Sequence, residues 1–440
     1  MKTTFRRAES DSENSHLLKN IHIVDPLCNR DEICDVWIDD GLIKAIDQPN
    51  QIKPPATIHT IDGTGCHLMP GFVDVHVHLR EPGQEYKETI GTGTMAAAAG
   101  GFTTVLCMAN TNPVNDNPYV TSYILSQAEK YSYVRVLPIG ALSKGLQGKE
   151  LAEIGKMKAA GIVAVSDDGM PVLNSYLMRK ALDYCKTFGL VIVSHAEDAH
   201  LVGQGVMHEG YHSNCLGLRG IPAESEEIVV ARDIALSRLT GGAVHFAHLS
   251  TRQALDHVRR AKAAGLKITC EVTPHHLMFT DEDVGNYDSN FKMAPPLRTK
   301  EDVAFLREAL GDGTIDCVAT DHAPHAMRDK DVLFEFASNG VVGLETAFSV
   351  VFDLFQKKIL TLKQVVEVLS VRPSAIFNLP QARLAVGDRA DCVIVNLAQS
   401  RSIDARGLHS KSKNSPFLGR KMAAVVQATF VGGVNVFQVE

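Results

Sequence analysis

Two histidines and an arginine stand at the end of a short apolar run: His76 lies within residues 71–77, and His78 and Arg80 follow it. Residues 71–77 show the alternation typical of a buried strand. His76 and His78 are two positions apart, so in an extended chain both side chains project from the same face. Paired imidazoles can bind a divalent metal such as zinc. Arg80 lies two residues further on, where its guanidinium could hold a carboxylate through two hydrogen bonds.

A His-x-His pair alone is weak evidence for a metal site. The strands and helices that could bring further metal ligands to the same place therefore have to be identified. Eight apolar segments alternate with helical stretches after Pro70: 71–76, 103–108, 134–139, 162–166, 190–195, 244–249, 267–272 and 316–320. This alternation over roughly 250 residues predicts a (β/α)8 TIM-like barrel. A doubly wound open sheet is the alternative, but no glycine-rich nucleotide loop follows the first strand.

Both ends of the chain carry β-type patterns instead. Asp40-Gly41 and Gly432-Gly433 each separate two apolar runs, which predicts two hairpins. We therefore expect residues 19–69 and 386–440 to form one small β-sandwich domain assembled from both termini, beside a barrel of residues 70–385. Residues 1–18 are polar and charged, and we expect them to be a disordered leader.

The active site of such a barrel lies at the C-terminal ends of its strands. Polar or metal-binding side chains stand at the ends of five predicted strands: His76 and His78, Asn110, Asp167 and Asp168, His195 with Glu197, and His248. Asp321, His322 and His325 follow the eighth. This clustering predicts a metal-dependent hydrolase. Zinc can lower the pKa of bound water to about 7, and Asp321 is placed to act as general base and then acid, as metal ligand, or as both.

Several neighbouring residues compete for these roles. His248 is favoured over His245 because it lies nearer the barrel rim. The pattern alone does not separate Asp167 from Asp168. Glu197 is favoured as a support for a ligand rather than as a ligand. His275 and His276, after the seventh strand, are either such supports or buried structural histidines.

Composition argues against several other classes of protein. The 440 residues carry a formal net charge of -7, and no basic cluster is interleaved with aromatic residues, which argues against binding to nucleic acid or to an anionic membrane. No apolar run is long enough to span a bilayer. The nine cysteines are scattered, without a Cys-x-x-Cys pair, which favours reduced thiols and a cytoplasmic protein.

Several motifs match a known family. They are PGFVDVHVHLREPG (70–83), SDDG (166–169), EVTPHH (271–276), ATDHAPH (319–325), GLET (343–346) and NSPF (414–417). On these motifs the chain resembles the amidohydrolase superfamily and, within it, the bacterial type I dihydroorotases. The similarity covers essentially everything after the polar leader.

The resemblance implies a zinc-dependent, reversible cyclisation of N-carbamoyl-L-aspartate to L-dihydroorotate, the third step of pyrimidine biosynthesis. The implied ligands of one or two zinc ions are His76, His78, Asp168, His195, His248 and Asp321. The implied substrate contacts are His78, Arg80, Asn110, His325, Asn339 and Gly340. The corresponding mechanistic hypothesis is that metal-bound hydroxide attacks the ring amide carbonyl while Asp321 transfers the proton to the ring nitrogen.

Two related possibilities stay open beside this one. Hydantoinases and allantoinases share the metal chemistry but need no residues that bind a ring carboxylate, so Arg80 and His325 favour the dihydroorotase. Some related chains are non-catalytic scaffolds for aspartate transcarbamoylase, but such chains generally lack the metal ligands. A homodimer and a complex with aspartate transcarbamoylase are implied partners. This chain departs from the family at Ala294, where an asparagine usually precedes Pro-Pro.

Overall fold

The N-terminal strands form hairpins before the barrel begins. The computed structural model describes residues 2–7, 15–54 and 58–440. The first strands are β1 (Thr3–Phe5), β2 (His16–Asp25), β3 (Arg30–Asp39), β4 (Leu42–Asp47), β5 (His59–Asp62) and β6 (His67–Pro70). Asp39 pairs with Leu42 across a two-residue turn. Asp40 and Gly41 both have positive φ, of 49° and 75°, which this tight turn requires, so the first predicted hairpin is confirmed.

Eight parallel strands form the barrel. They are β7 (Phe72–Val77), β8 (Phe102–Cys107), β9 (Arg135–Gly140), β10 (Ala164–Ser166), β11 (Val191–Ser194), β14 (Val244–Phe246), β15 (Ile268–Val272) and β16 (Cys317–Val318). Two short strands, β12 (Met207–His208) and β13 (Gly220–Ile221), lie between β11 and β14 in the chain. The sheet order is β16-β15-β14-β11-β10-β9-β8-β7, while β12 and β13 pair separately. A parallel bridge from Val77 to His322 joins the first strand to the segment after the last and closes the barrel. The predicted fold class is confirmed.

The last three strands return to the N-terminal sheet. They are β17 (Cys392–Ser402), β18 (Lys421–Val431) and β19 (Val434–Val439). Among the described residues they join β1 to β6 in one nine-stranded sheet, in which β17 pairs with β6 and β19 with β1. Val431 pairs with Val434 across Gly432-Gly433, which confirms the second predicted hairpin. The domain limits at residues 69/70 and 385/386 stay a prediction.

The predicted disordered leader, residues 1–18, is wrong where the structure describes it. Thr3–Phe5 pairs with Phe437–Val439 in antiparallel register, and β2 already begins at His16. The polar composition misled the prediction because an edge strand needs only backbone hydrogen bonds and a few apolar contacts. One such contact is Phe5, whose ring centroid lies 5.2 Å from that of Phe437. Residues 1 and 8–14 lie outside the described part of the chain.

Helices follow most barrel strands and cover the outside of the barrel. They are α1 (Ile90–Ala99), α2 (Pro118–Tyr131), α3 (Ile154–Ala160), α4 (Ser175–Thr187), α5 (Ala199–Val202), α6 (Tyr211–Leu216), α7 (Glu224–Thr240), α8 (Arg252–Ala263), α9 (Pro274–Met278), α10 (Lys300–Gly311), α11 (Met327–Lys330), α12 (Ala347–Gln356), α13 (Leu362–Val366) and α14 (Arg372–Ile376). None of the described helices is both long enough and apolar enough to cross a membrane.

The terminal sheet packs directly on the barrel through α1. The last turns of α1 are a run of buried alanines, Ala96 to Ala99, whose small side chains let the sheet approach closely. Thr429 Oγ1 of β18 donates a hydrogen bond to Ala98 O at 2.7 Å. Gly71 N, just before β7, donates to Asp391 O at 3.0 Å. The first barrel strand is therefore anchored to the sheet on the side away from its functional end.

Candidate active site

A cavity of about 590 Å³ opens at the C-terminal ends of the barrel strands. The predicted site residues that line it are His78, Arg80, Asn110, Asp168, His195, His248, Asp321, His325, Asn339 and Gly340. They come from strand ends that are far apart in sequence and meet only because the barrel closes. His76, the remaining predicted ligand, is fully buried directly beneath them.

The six predicted ligands form one compact group, called here the histidine–aspartate cluster: His76, His78, Asp168, His195, His248 and Asp321. Ring nitrogens of His76, His195 and His248 lie 3.4, 3.4 and 3.5 Å from Asp168 Oδ1. His78 Nε2 lies 3.4 Å from Asp168 Oδ2 and 3.0 Å from Asp321 Oδ1. Two sets of three ligand atoms, each within 4.8 Å of one another, share His76. The two carboxylate oxygens of Asp168 therefore lie near different histidines of the cluster.

Two atoms of this cluster lack any hydrogen-bond partner among the described residues. They are His76 Nε2 and Asp168 Oδ1, both of them buried. A buried polar atom without a partner costs free energy, so natural proteins rarely leave one unsatisfied. A divalent cation held by imidazole nitrogens and carboxylate oxygens would satisfy both atoms. The residues present therefore fit a metal ion.

Hydrogen bonds behind the cluster fix the tautomers of two histidines. Glu271 Oε1 accepts from His76 Nδ1 at 2.8 Å, which leaves Nε2 free to face the cluster. Asn110 Oδ1 accepts from His78 Nδ1 at 2.9 Å with the same result for that ring. Glu271 is fully buried in β15. Burial alone would raise its pKa, but His76 and then His245 outweigh that effect and lower the pKa of Glu271 to about 2.

The competing histidine in the sixth strand has a different position. His245 Nε2 donates to Glu271 Oε2 at 3.0 Å, and its other ring nitrogen lies 2.9 Å from Thr269 Oγ1. The ring is therefore satisfied inside the barrel, away from Asp168. His248 is the histidine of this strand that faces the cavity, and its backbone N–H also donates to Glu271 Oε1 at 3.2 Å.

The two aspartates after the fourth strand separate clearly. Asp167 accepts from the backbone N–H groups of Leu142 and Ser143 at 2.8 and 2.9 Å and from the hydroxyl of Ser143. It holds the loop after β9. Asp168 faces the histidines instead. Burial opposes its ionisation, but His76 and its neighbours hold the pKa of Asp168 well below its usual range, so it carries a negative charge.

Three site residues have left-handed backbone conformations. The φ angles are 61° for Arg80, 35° for His248 and 45° for Asp321. A residue with a Cβ rarely adopts this region, and such strain persists only where surrounding contacts enforce it. The hydrogen bond from His248 N to Glu271 is one of these contacts.

One wall of the cavity is cationic. Arg80 Nε donates to Pro324 O at 3.2 Å, and the guanidinium has no carboxylate within 4.0 Å among the described residues. Lys87 Nζ can only donate to His325 Nδ1, 3.3 Å away, so the ring proton of His325 sits on Nε2 and donates to Asn339 O at 2.8 Å. Burial, followed by the charges of Arg80, Lys87 and Lys330, lowers the pKa of His325 to about 2, so this ring is neutral.

The loop that carries Asn339 and Gly340 closes this wall. Gly340 has φ 128°, and a Cβ there would lie 2.6 Å from the Cβ of Ala323, so only glycine fits. Asn414 Nδ2 donates to Ala323 O and Gly340 O, both at 3.0 Å, and its Oδ1 accepts from His325 N at 3.0 Å. Asn414 belongs to the NSPF motif, for which the sequence suggested no role. Its hydrogen bonds connect the C-terminal segment to the cavity wall.

The remaining predicted supports lie close to the cluster. Glu197 Oε2 accepts from His195 Nε2 at 3.3 Å, the supporting position that the sequence favoured. His276 contacts Thr273 Oγ1 at 2.7 Å and Pro295 O at 3.1 Å, so it holds the loop next to Ala294. Both ring nitrogens of His275 are buried without a hydrogen-bond partner among the described residues. The roles of all site residues in catalysis stay predictions.

Several dihydroorotases are similar to this chain over most of its length. The sequence profile described as Dihydro-orotase-like matches residues 65–254. A dihydroorotase from Anaeromyxobacter dehalogenans is 51% identical over 413 residues, which are 93% of this chain and 95% of that protein. A dihydroorotase from Geotalea daltonii is 48% identical over 416 residues, which are 94% and 97% of the two chains. The chain belongs to the dihydroorotase family. The membership that its motifs predicted is confirmed.

A solved structure supports the same fold. L-Hydantoinase (dihydropyrimidinase) from Arthrobacter aurescens superposes with a TM-score of 0.86 at 27% sequence identity, covering 96% of this chain and 95% of that one. The barrel and the terminal sheet of this chain therefore have a counterpart of nearly the same extent. The likeness also agrees with the predicted place in the amidohydrolase superfamily.

Proposed function

We propose that this chain is a dihydroorotase, which interconverts N-carbamoyl-L-aspartate and L-dihydroorotate. One observation carries the proposal beyond family membership: the metal-type cluster and an arginine that has no carboxylate within 4.0 Å among the described residues line the same cavity. Such a cavity suits a small cyclic amide that also bears a carboxylate. The reaction class is hydrolysis and formation of a cyclic amide bond.

We propose zinc as the metal, held by the six residues of the histidine–aspartate cluster. Two unsatisfied buried atoms, His76 Nε2 and Asp168 Oδ1, support this assignment. Imidazole and carboxylate ligands suit zinc. When bound, the metal supplies Lewis-acid polarisation of the amide carbonyl and lowers the pKa of water. Measuring bound zinc per chain will distinguish one ion from two.

Asp321 is the proposed proton carrier. It lines the cavity, and its Oδ1 lies 3.0 Å from His78 Nε2. Burial opposes its ionisation, but His76 and His78 outweigh burial and hold the pKa of Asp321 below its usual range. The carboxylate is therefore available at neutral pH to take a proton from the attacking water and to deliver it to the ring nitrogen. In the direction of ring closure it removes the proton from the carbamoyl nitrogen.

Arg80 is the proposed carboxylate-binding residue. Arg80 Nη2 lies 3.2 Å from His325 Nε2, but that nitrogen carries the ring proton and donates to Asn339 O, so it cannot accept from the guanidinium. A guanidinium binds a carboxylate through two parallel hydrogen bonds. Holding the ring carboxylate there orients the amide carbonyl toward the histidine–aspartate cluster.

Turnover and metal content in one sample test this proposal. We expect the purified chain to hydrolyse dihydroorotate and to contain one or two zinc ions. Hydantoin and allantoin, which lack the ring carboxylate, should be poor substrates. Zinc without dihydroorotate turnover, together with good hydantoin turnover, would replace the proposed substrate. Turnover that appears only after aspartate transcarbamoylase is added would indicate that the partner is required.

We further propose the partners implied by the resemblance, a homodimer and a complex with aspartate transcarbamoylase. Their support is the likeness to type I dihydroorotases. The mass of the purified chain in solution, alone and mixed with aspartate transcarbamoylase, tests both. A cytoplasmic location likewise stays a prediction.

A further inference from the structure

A buried lysine lies behind the loop that closes the cationic wall. Lys330, the last residue of α11, has a relative exposure of only 6%. Its Nζ donates to Ser338 O at 2.8 Å, Gly340 O at 3.1 Å and Lys292 O at 3.3 Å. An ammonium group has three donors, and here all three are directed at backbone carbonyls. Two of these carbonyls flank Asn339, whose own carbonyl accepts from His325.

A second buried lysine extends the same network. Lys292 is 4% exposed, and its Nζ donates to Phe334 O and Glu335 O, both at 2.8 Å. Its backbone carbonyl accepts from Gly340 N at 2.9 Å as well as from Lys330. The two ammonium groups therefore hold the loop after α11 at two places, residues 334–335 and residues 338–340.

The charges of these two lysines are not neutralised locally. Within the described residues neither ammonium has a carboxylate within 4.0 Å, and the carboxylates that act on them, Asp288 and Glu335, do so from further away. Burial, and then repulsion by Lys292, lowers the pKa of Lys330 to about 7, so the ammonium form predominates below pH 7 and is lost as the pH rises above that value. Burying unpaired charge is costly, so a purely structural loop would be served better by neutral donors.

We propose that Lys330 is a specificity-determining, positioning residue of the cavity. Its ammonium holds the Asn339–Gly340 backbone against His325 and, with Lys292, places uncompensated positive charge behind the carboxylate-binding side. This arrangement favours a cyclic amide that bears a carboxylate over an uncharged one. We name Arg80, Lys87, Lys292 and Lys330 the cationic cluster. The inference rests on the proposed function, since it concerns how the same cavity selects its substrate.

Lys330→Met tests the role, because methionine keeps the unbranched stem and removes the charge and all three donors. We expect the KM for dihydroorotate to rise about tenfold or more, as for loss of a charged hydrogen bond. The kcat should change much less, and bound zinc should not change. The inhibition constant of dihydrouracil, the same ring without its carboxylate, should stay within about twofold if the charge selects the carboxylate.

Two other variants make the test decisive. Lys262→Met is the control outside the cavity: Lys262 Nζ also bonds a carbonyl, Thr314 O at 2.7 Å, and it is paired with Asp316 at 2.6 Å. The KM of this variant should not change. If Lys330→Met does not fold, Lys292→Met removes the second charge and should raise the KM in the same direction.

If Lys330→Met weakens the binding of dihydroorotate and of dihydrouracil equally, the proposal is wrong and Lys330 has a structural role only. An unchanged KM in Lys330→Met, or in Lys292→Met if that variant has to be used, would also overturn it. If the unmodified chain itself fails to hydrolyse dihydroorotate, the proposed function fails, which is a separate result.

Discussion

The two sides of the cavity are built by different means. The histidine–aspartate cluster consists of side chains at or just after strand ends, and carboxylates such as Glu271 hold its rings from inside the barrel. The cationic cluster is held instead by backbone carbonyls of loops, with Lys330 and Lys292 as the donors. The first side combines two aspartates with four histidines, a set suited to a metal ion, whereas these two lysines of the second have no carboxylate within 4.0 Å among the described residues. A cavity built in this way can separate the reacting amide from the recognised carboxylate.

This difference indicates which changes should affect the chemistry and which should affect binding. Strand ends are rigid, so a change in the first side should remove metal or proton transfer and lower kcat. A change in the loop side should mainly raise KM, because the interaction with the carboxylate is lost in ground state and transition state alike.

Asp321→Asn should have the largest effect. The amide cannot take a proton, so kcat should fall by about 10²- to 10⁴-fold. Assays of dihydroorotate hydrolysis, with bound metal counted, check this. Asp167→Asn is the matched control at the same rim, and it should lose much less activity because Asp167 supports only the loop at Leu142 and Ser143. A near-normal rate in Asp321→Asn with full metal content would exclude the proposed role.

Arg80→Lys should have the next largest effect, on the opposite side. Lysine keeps the charge but lacks the planar fork, so the KM for dihydroorotate should rise roughly 10- to 100-fold with a smaller change in kcat. Steady-state kinetics in both directions of the reaction measure this. An unchanged KM would mean that the carboxylate binds elsewhere.

Glu271→Gln should weaken metal binding without touching the substrate. It disturbs the tautomer of His76 and the contact to His248 N, and loss of such a supporting carboxylate typically reduces metal affinity by about 10- to 100-fold. Competition with a chelator measures the affinity. Glu345→Gln is the control, because Glu345 also accepts from a histidine Nδ1, that of His409 at 2.8 Å, but away from the cavity. Equal metal affinity in both variants would contradict the assignment.

Ala294→Asn should have the smallest effect, in the favourable direction. Ala294 lines the cavity at a position where the family usually has asparagine. One added neutral hydrogen bond to the substrate should lower the KM roughly threefold. Kinetic comparison with the unmodified chain checks this, and a raised KM would show that the surrounding wall has adapted to alanine.

Much of the barrel could be predicted from hydrophobic runs, because strands buried on both faces are nearly continuous in apolar residues. The errors are instructive. The apolar run predicts a sixth strand over residues 244–249, but β14 ends at Phe246. The left-handed backbone at His248, bonded through its N–H to Glu271, ends the extended conformation early. The eighth predicted strand is shortened similarly, since φ is also positive at Asp321.

The supporting residues could not be found in this way. Glu271 stands in an apolar strand, where one polar residue carries no periodic signal, and its partner His76 is 195 positions away. Lys330 lies in a polar stretch that reads as solvent-exposed loop, yet it is buried. Only the closed barrel, which brings distant strand ends together, reveals these contacts.

The pairing of β1 with β19 has a consequence for how the chain is made. Thr3 lies opposite Val439, and Phe5 opposite Phe437. During synthesis β19 must leave the ribosome before this edge of the sheet can be completed, whereas the barrel strands are available earlier. We therefore expect the barrel to fold first and the terminal sheet to close around α1 only after β19 has been made.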